Sequence, residues 1–288
     1  MKTLLLILIG SSFFLFPSNP ETPIKKETVK QTEKRLSKIF STIPAGTIEI
    51  DGKSKTLRTY KLGTRVVTNF DYKEFLAYLK QHNRINEYHT YYPDSTKWGD
   101  YFTKGSHYML NIYKEYPVVN ITYEAAQAYA IWLTERNREI SENQKITFRL
   151  PTKEEWIYAA DGGKEGSHYA WQGNFLRNSQ GQFLANFVRV PDENIIRGED
   201  GKPILSSETQ YEKEGSMDII APAVSYFPSV WGLYNMNGNV AEMLNEGNEV
   251  IGGSWMDFGG DIQNRSVKTY DKQAYPNVGF RLVMIEEE

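Results

Sequence analysis

The chain has 288 residues, 40% of them hydrophobic and 14% aromatic, enough for one large domain with a real core. Its formal net charge is −3, and acidic and basic residues are interspersed, with no basic stripe to neutralise phosphates; nucleic acid is excluded as a partner. There is no cysteine, so thiolate nucleophiles, thiolate metal ligands and redox pairs are excluded as well.

The first 20 residues read as an export signal. Lys2 supplies a positive n-region, Leu4 to Ile9 are unbroken apolar, and Phe13 to Phe16 follow before Pro17 and Pro20. The apolar stretch is about 13 residues, short of the roughly 18 needed to span a bilayer. Leu8-Ile9-Gly10-Ser11 has the outline of a lipobox with serine in place of the lipidated cysteine, so no direct lipid anchor is expected. Residues 21–43 are rich in Lys and Glu and read as a polar linker, part of it helical through Val29, Leu36 and Ile39-Phe40; the domain is expected to occupy 44–288.

Three helices are legible within that domain. Asn69 or Asp71 can cap the first, which carries Phe75, Leu76 and Leu79 on one side. Thr122 opens the second, with Ala126, Tyr129, Ala130 and Leu133 at helical spacing. Thr152 and Glu155 form a capping box for the third, and Asp161-Gly162-Gly163 stops it. Residues 161–288 then alternate glycine turns with short aromatic or β-branched runs, of which Phe187–Val190 and Val278–Val283 read as strands. The polar stretch 191–220 reads as a surface insertion. The expected fold class is α+β.

Several patterns recur in a telling order. Tyr116-Pro117-Val118-Val119-Asn120-Ile121-Thr122-Tyr123 leads into the alanine-rich helix, and Phe148-Arg149-Leu150-Pro151-Thr152-Lys153-Glu154-Glu155-Trp156 follows. Then come Ala221-Pro222, the run Trp231-Gly232-Leu233-Tyr234-Asn235-Met236-Asn237-Gly238-Asn239-Val240-Ala241-Glu242, the motif Gly252-Gly253-Ser254-Trp255, Arg265, and Gly279-Phe280-Arg281. The ordered set, covering about residues 44–284, resembles the formylglycine-generating enzyme, or sulfatase-modifying factor, family. Within it, Tyr92-Pro93-Asp94-Ser95-Thr96-Lys97-Trp98 and Val240-Ala241-Glu242 are most similar to the gliding-motility lipoproteins of Bacteroidetes.

The resemblance implies a C-type-lectin-like fold: a twisted, mostly antiparallel sheet, two to three helices and much irregular loop. It also implies where chemistry should lie. The family's enzymes hold copper on two cysteines after the GGS-aromatic motif; here those positions fall at about Asp257 and Ile262, neither a soft ligand, so copper is not expected. Groove candidates are Trp255, Asp257, Asp261 and Arg265, the two aspartates bracketing Gly259-Gly260 either as an acid–base pair or as solvated turn formers. A calcium ion is implied at the Asn235 side chain, the Gly238 and Val240 carbonyls and the Glu242 carboxylate, a hard-oxygen set. A second calcium site is kept only in its first half, Asn186-Phe187, with Glu214 or Asp218 standing near the missing half. The four histidines, His82, His89, His107 and His168, are expected to be exposed or hydrogen-bonded rather than metal ligands, and Arg149 and Arg281 to pair with carboxylates.

The favoured functional expectation is a non-catalytic structural or binding component of the bacterial cell envelope, exported and periplasmic or outer-membrane associated. Its partners would be other envelope proteins of a gliding or type IX secretion assembly. The alternatives are an enzyme with a relocated active site and a calcium-dependent carbohydrate or ligand-binding module.

Overall fold

The structure is a computed structural model that describes residues 27–99, 101–102, 105–189, 195–200, 203–205 and 219–286. The export-signal reading and the lipobox-like Leu8–Ser11 lie outside the described residues.

Order begins earlier than the composition suggests. Helix α1 (Val29–Leu36) is opened by a Thr28/Gln31 capping box and buries Thr32 and Leu36, while strand β1 (Phe40–Ile43) lies inside a sheet. The described part of the stretch read as a linker, residues 27–43, therefore packs with the domain. It misled because an edge helix that buries only two residues leaves the rest of its face polar. Two hairpin strands, β2 (Gly46–Ile50) and β3 (Lys53–Leu57), and strand β4 (Tyr60–Gly63) follow.

Helix α2 (Asn69–Gln81) is capped by Thr68 rather than by Asn69 or Asp71, and Asp71 takes the return position of the capping box. Burial opposes ionisation of Asp71, but the Arg65 guanidinium and the Thr68 N–H and hydroxyl outweigh it and hold the carboxyl below its ordinary range. Short helices α3 (Ile85–Thr90) and α4 (Ser106–Met109) come next, then the long α5 (Tyr123–Ile140), capped by Thr122 as expected. Ala125, Ala126 and Ala130 on α5 are small enough for close packing against strand β5 (Ile146–Arg149), and Thr134 Oγ1 accepts from Phe148 N at 2.9 Å. Helix α6 (Lys153–Asp161) shows the Thr152/Glu155 box and ends on Gly162 in the left-handed conformation.

The remaining strands are β6 (Ile195–Arg197), β7 (Pro203–Leu205), β8 (Ala241–Met243), β9 (Glu249–Ile251), β10 (Val267–Thr269), β11 (Val278–Gly279) and β12 (Val283–Glu286). One sheet runs β1-β4-β12-β5, all antiparallel; a second runs β10-β9-β8-β11, antiparallel except for the parallel β8–β11 pair. The fold is α+β and mostly antiparallel. Two strand readings change. Val278–Val283 is not one strand: Phe280–Leu282 carry the chain from the second sheet to the first. Of Phe187–Val190, the described residues 187–189 contribute only a bridge, Val188 to Phe258, and Val190 lies outside the described residues. Of the polar stretch 191–220, the described part is the β6–β7 hairpin and Ile219-Ile220.

Candidate functional site

The crossover between the sheets sets the centre of the molecule. Parallel pairing places Glu242 of β8 beside Gly279 of β11, and two residues later Arg281 turns back across it. The Glu242 and Arg281 side chains are both 0% exposed. Arg281 Nε donates to Glu242 Oε2 at 2.6 Å and its Nη2 to Oε1 at 2.5 Å, while the Trp156 indole donates to Oε2 at 2.8 Å. The guanidinium also donates to the Gly63 carbonyl (3.1 Å) and the Tyr234 carbonyl (3.0 Å). One ion pair thus joins β4, α6, β8 and the turn before β8. A buried pair survives only with this degree of satisfaction.

That geometry bears on the implied calcium. The Glu242 charge is already balanced by Arg281, and only one lone pair of Oε1 is left uncommitted. The Asn235 amide nitrogen donates to the Pro222 and Ala223 carbonyls, which leaves its oxygen available. What remains for a cation is a set of hard but neutral oxygens, and calcium affinity follows ligand charge. Such a set does not fit a tightly held ion. Among the described residues no group of three or more His, Asp or Glu is gathered that could hold a metal.

The turn's conformation has its own cause. Gly238 adopts φ +73°, and a Cβ there would lie 2.3 Å from the Asn186 carbonyl. Asn186, read as half of a second calcium site, donates its amide to the Ile219 carbonyl (2.6 Å) and Asn239 Oδ1 (3.3 Å). Asn239 closes the ladder by exchanging bonds with the Ala221 backbone. Phe187 is buried with Tyr169, Ala185 and Ile262. Glu214 and Asp218 lie outside the described residues.

The groove candidates do not form one cluster. Trp255 is buried, donates from its indole to the Pro276 carbonyl (3.3 Å) and takes the edge of half-exposed Tyr101 at 4.9 Å. Asp257 Oδ2 accepts from the Ser254 N–H (2.8 Å) and hydroxyl (2.6 Å), and Oδ1 pairs with Lys268. Asn277 donates to the Ser254 hydroxyl at 3.0 Å. Arg265 instead reaches Asp161 at the end of α6 (3.0 Å), where Asn264 also binds. Asp261 sits in a short 3₁₀ turn, Gly259–Ile262, with its backbone N–H donating to the Phe258 carbonyl. Ile262 is fully buried.

The model of the sulfatase-modifying factor enzyme 1-like domain matches residues 25–285. The chain belongs to the sulfatase-modifying factor family. Relatives include the formylglycine-generating enzyme of Streptomyces coelicolor, 34% identical over 46% of this chain and 32% of that one. The inactive C-alpha-formylglycine-generating enzyme 2 of Mus musculus is 27% identical over 58% of this chain and 48% of that one. The chain thus spans a third to a half of the length of these relatives. Among solved structures, CarF superposes with TM-score 0.57 at 21% identity, covering 85% of this chain and 97% of that one. PvdO from Pseudomonas aeruginosa gives 0.53 at 16%, covering 85% and 93%. These share the fold. The family includes inactive members, and a cysteine-free chain is consistent with being one.

Against this family background, the positions implied for copper thiolates carry Asp257, held by Ser254 and Lys268, and the buried Ile262. That pair does not fit a copper ion bound through thiolates. Arg149 pairs with a carboxylate, Glu155, through two 2.7 Å bonds, whereas Glu154 turns to Lys55. His107 departs from the expectation for the histidines: it is buried among Trp98, Phe102, Tyr113 and Tyr116, and burial, with Lys73 adding to it, pushes its pKa down to about 3. Asn237 and Asn239 were missed as key residues. The asparagine-rich run Asn235–Asn239 was the available signal: such amides satisfy loop carbonyls that no sheet reaches.

Proposed function

We propose that this chain is a non-catalytic scaffold and binding component of the bacterial cell envelope, exported, with other envelope proteins as partners and a gliding or type IX secretion assembly as its setting. The observation that carries the reading is Asp257. Where the resemblance implies a metal-binding thiol stands a carboxylate whose oxygens are taken by Ser254 and Lys268, so the position serves loop structure. The fold around it is kept whole, as a scaffold requires. Any attachment to the membrane would run through a partner or an uncleaved signal, since the lipobox-like Leu8–Ser11 lacks the thiol that lipidation needs.

The test is affinity purification of the chain from native envelopes, with mass spectrometry of what accompanies it. Enrichment of a fixed set of envelope proteins is expected. A chain that stays in the soluble fraction alone sinks the scaffold reading. Copper-dependent oxidation of a sulfatase-type cysteine peptide by the purified protein would replace it with the relocated-enzyme reading.

A further inference from the structure

The described structure holds a cleft lined by none of Trp255, Asp257, Asp261 and Arg265. It has a volume of about 690 Å³, within the roughly 300–1,000 Å³ of small-molecule sites. Its walls are α3, the Tyr92–Lys97 segment singled out in the sequence, and the loop at Gln273. The backbone of Tyr275 and Pro276, bonded to Asn120 N and to the Trp255 indole, separates it from the groove.

Three tyrosines line the cleft, and the core fixes each of them. Tyr91 stacks on Phe75 at 5.9 Å, and its carbonyl accepts from the buried Tyr72 hydroxyl at 2.7 Å. Tyr92 sets its ring against Tyr108 at 5.4 Å and against Tyr88 at 5.6 Å. Lys80 covers the Tyr88 ring from 5.7 Å, so Tyr92, more than a third exposed, offers the most open aromatic surface. Rings held in this way lose little entropy on binding.

The polar groups are mixed in kind. Asp94 Oδ1 caps Thr96, leaving Oδ2 as a free acceptor. The Gln273 side chain and the Lys97 amine also line the cleft, and the Lys97 charge acts on the neighbouring Asp271 carboxylate. The cleft therefore presents donors, acceptors and hydroxyls side by side, with an acid, Asp94, and a base, Lys97, both in its wall.

We infer that this cleft binds a neutral oligosaccharide of flat, equatorially substituted pyranose units, without a metal. Apolar C–H faces of such rings stack on tyrosine, and each sugar hydroxyl both donates and accepts, matching a mixed polar set. An anionic ligand would need a net positive site. A peptide strand would need a free sheet edge, and helix, turn and loop wall the cleft instead. The inference goes beyond the scaffold reading and does not depend on it.

Cellotetraose and chitotetraose, titrated calorimetrically into the purified chain in the presence of EGTA, test it. Saturable binding of at least one is expected, weakened at least about tenfold by Tyr92→Ala and measurably by Gln273→Ala, with the melting temperature of both variants unchanged. No heat at millimolar concentrations of either sugar on folded protein overturns it, as does binding that neither variant alters. Envelope association retained by Tyr92→Ala, with sugar binding lost, would separate this site from the scaffold role.

Discussion

Glu242 and Asp257 stand in neighbouring motifs, and both are acids paired with a base, yet their surroundings make them opposites. Glu242 is fully buried, bonded to Arg281 through both oxygens and to Trp156, at the point where the two sheets meet. The Asp257 side chain is 13% exposed, and its partner Lys268 is nearly half exposed. Charge in water is screened and loosely held, whereas charge in the core must be matched atom for atom. The same pattern of acid and base therefore marks the fold's fastening in one place and a replaceable surface contact in the other. The crossing of this chain's two sheets is tied by the first, while the second stands where the resemblance implies a metal ligand.

The largest effect is expected from breaking the buried pair. Glu242→Ala leaves a guanidinium uncompensated inside the core, and should cost about 3–5 kcal/mol, seen as a large fall in the urea midpoint. Glu242→Leu combined with Arg281→Met should recover much of that loss. EGTA should leave the wild-type melting temperature nearly unchanged, because Arg281 already supplies the positive charge. A chelator-induced drop of many degrees would show that calcium, and not the arginine alone, holds this turn.

A middle case lies at the start of α6. Glu155 closes the capping box by accepting from Thr152 N at 2.9 Å and holds Arg149, whose side chain is about one-third exposed. Glu155→Ala should cost about 2 kcal/mol, combining a lost cap with a partly screened ion pair. A loss as large as that of Glu242→Ala would mean that burial does not rank these pairs.

These contrasts explain what could be read in advance. Thr122, Thr152 and Glu155 act over three residues, so capping chemistry was visible in the sequence. Phe75, Leu76, Leu79 and the alanines of α5 followed from helical spacing. The partners of Glu242 lie 39 and 86 positions away, so no local pattern says whether the acid holds a metal or an arginine. The break at Phe280–Leu282 was hidden for a related reason. An apolar run looks alike whether it stays in one sheet or passes between two. Tyr92–Trp98 stood out as a motif, but its cleft needs the Gln273 loop, which the chain reaches only far downstream.

The effect of Glu74 depends on pH. One carboxyl oxygen is buried without a partner, and burial, reinforced by Asp71, raises its pKa from 4.5 to about 9. The folded state thus prefers the neutral acid. Its contribution is complete below about pH 4.5 and is lost progressively as the pH rises towards 9. Glu74→Gln should therefore raise the melting temperature at pH 8, change it little at pH 5, and flatten the slope between. An unaltered slope would show that Glu74 is solvated and ionised in the native protein.

The smallest effect is expected at Asp257, and it sharpens the comparison most directly. In the Asp257→Asn variant the side-chain amide oxygen would still accept from the Ser254 N–H and hydroxyl, so the change removes only the pairing with Lys268. A pair with so exposed a lysine contributes about 0–1 kcal/mol, and the urea midpoint should move accordingly little. Because the scaffold reading gives Asp257 a purely local role, recovery of envelope partners by the variant should match the wild type. If stability holds while partner recovery collapses, Asp257 belongs to a working surface, and the groove has been kept for binding rather than left over from catalysis.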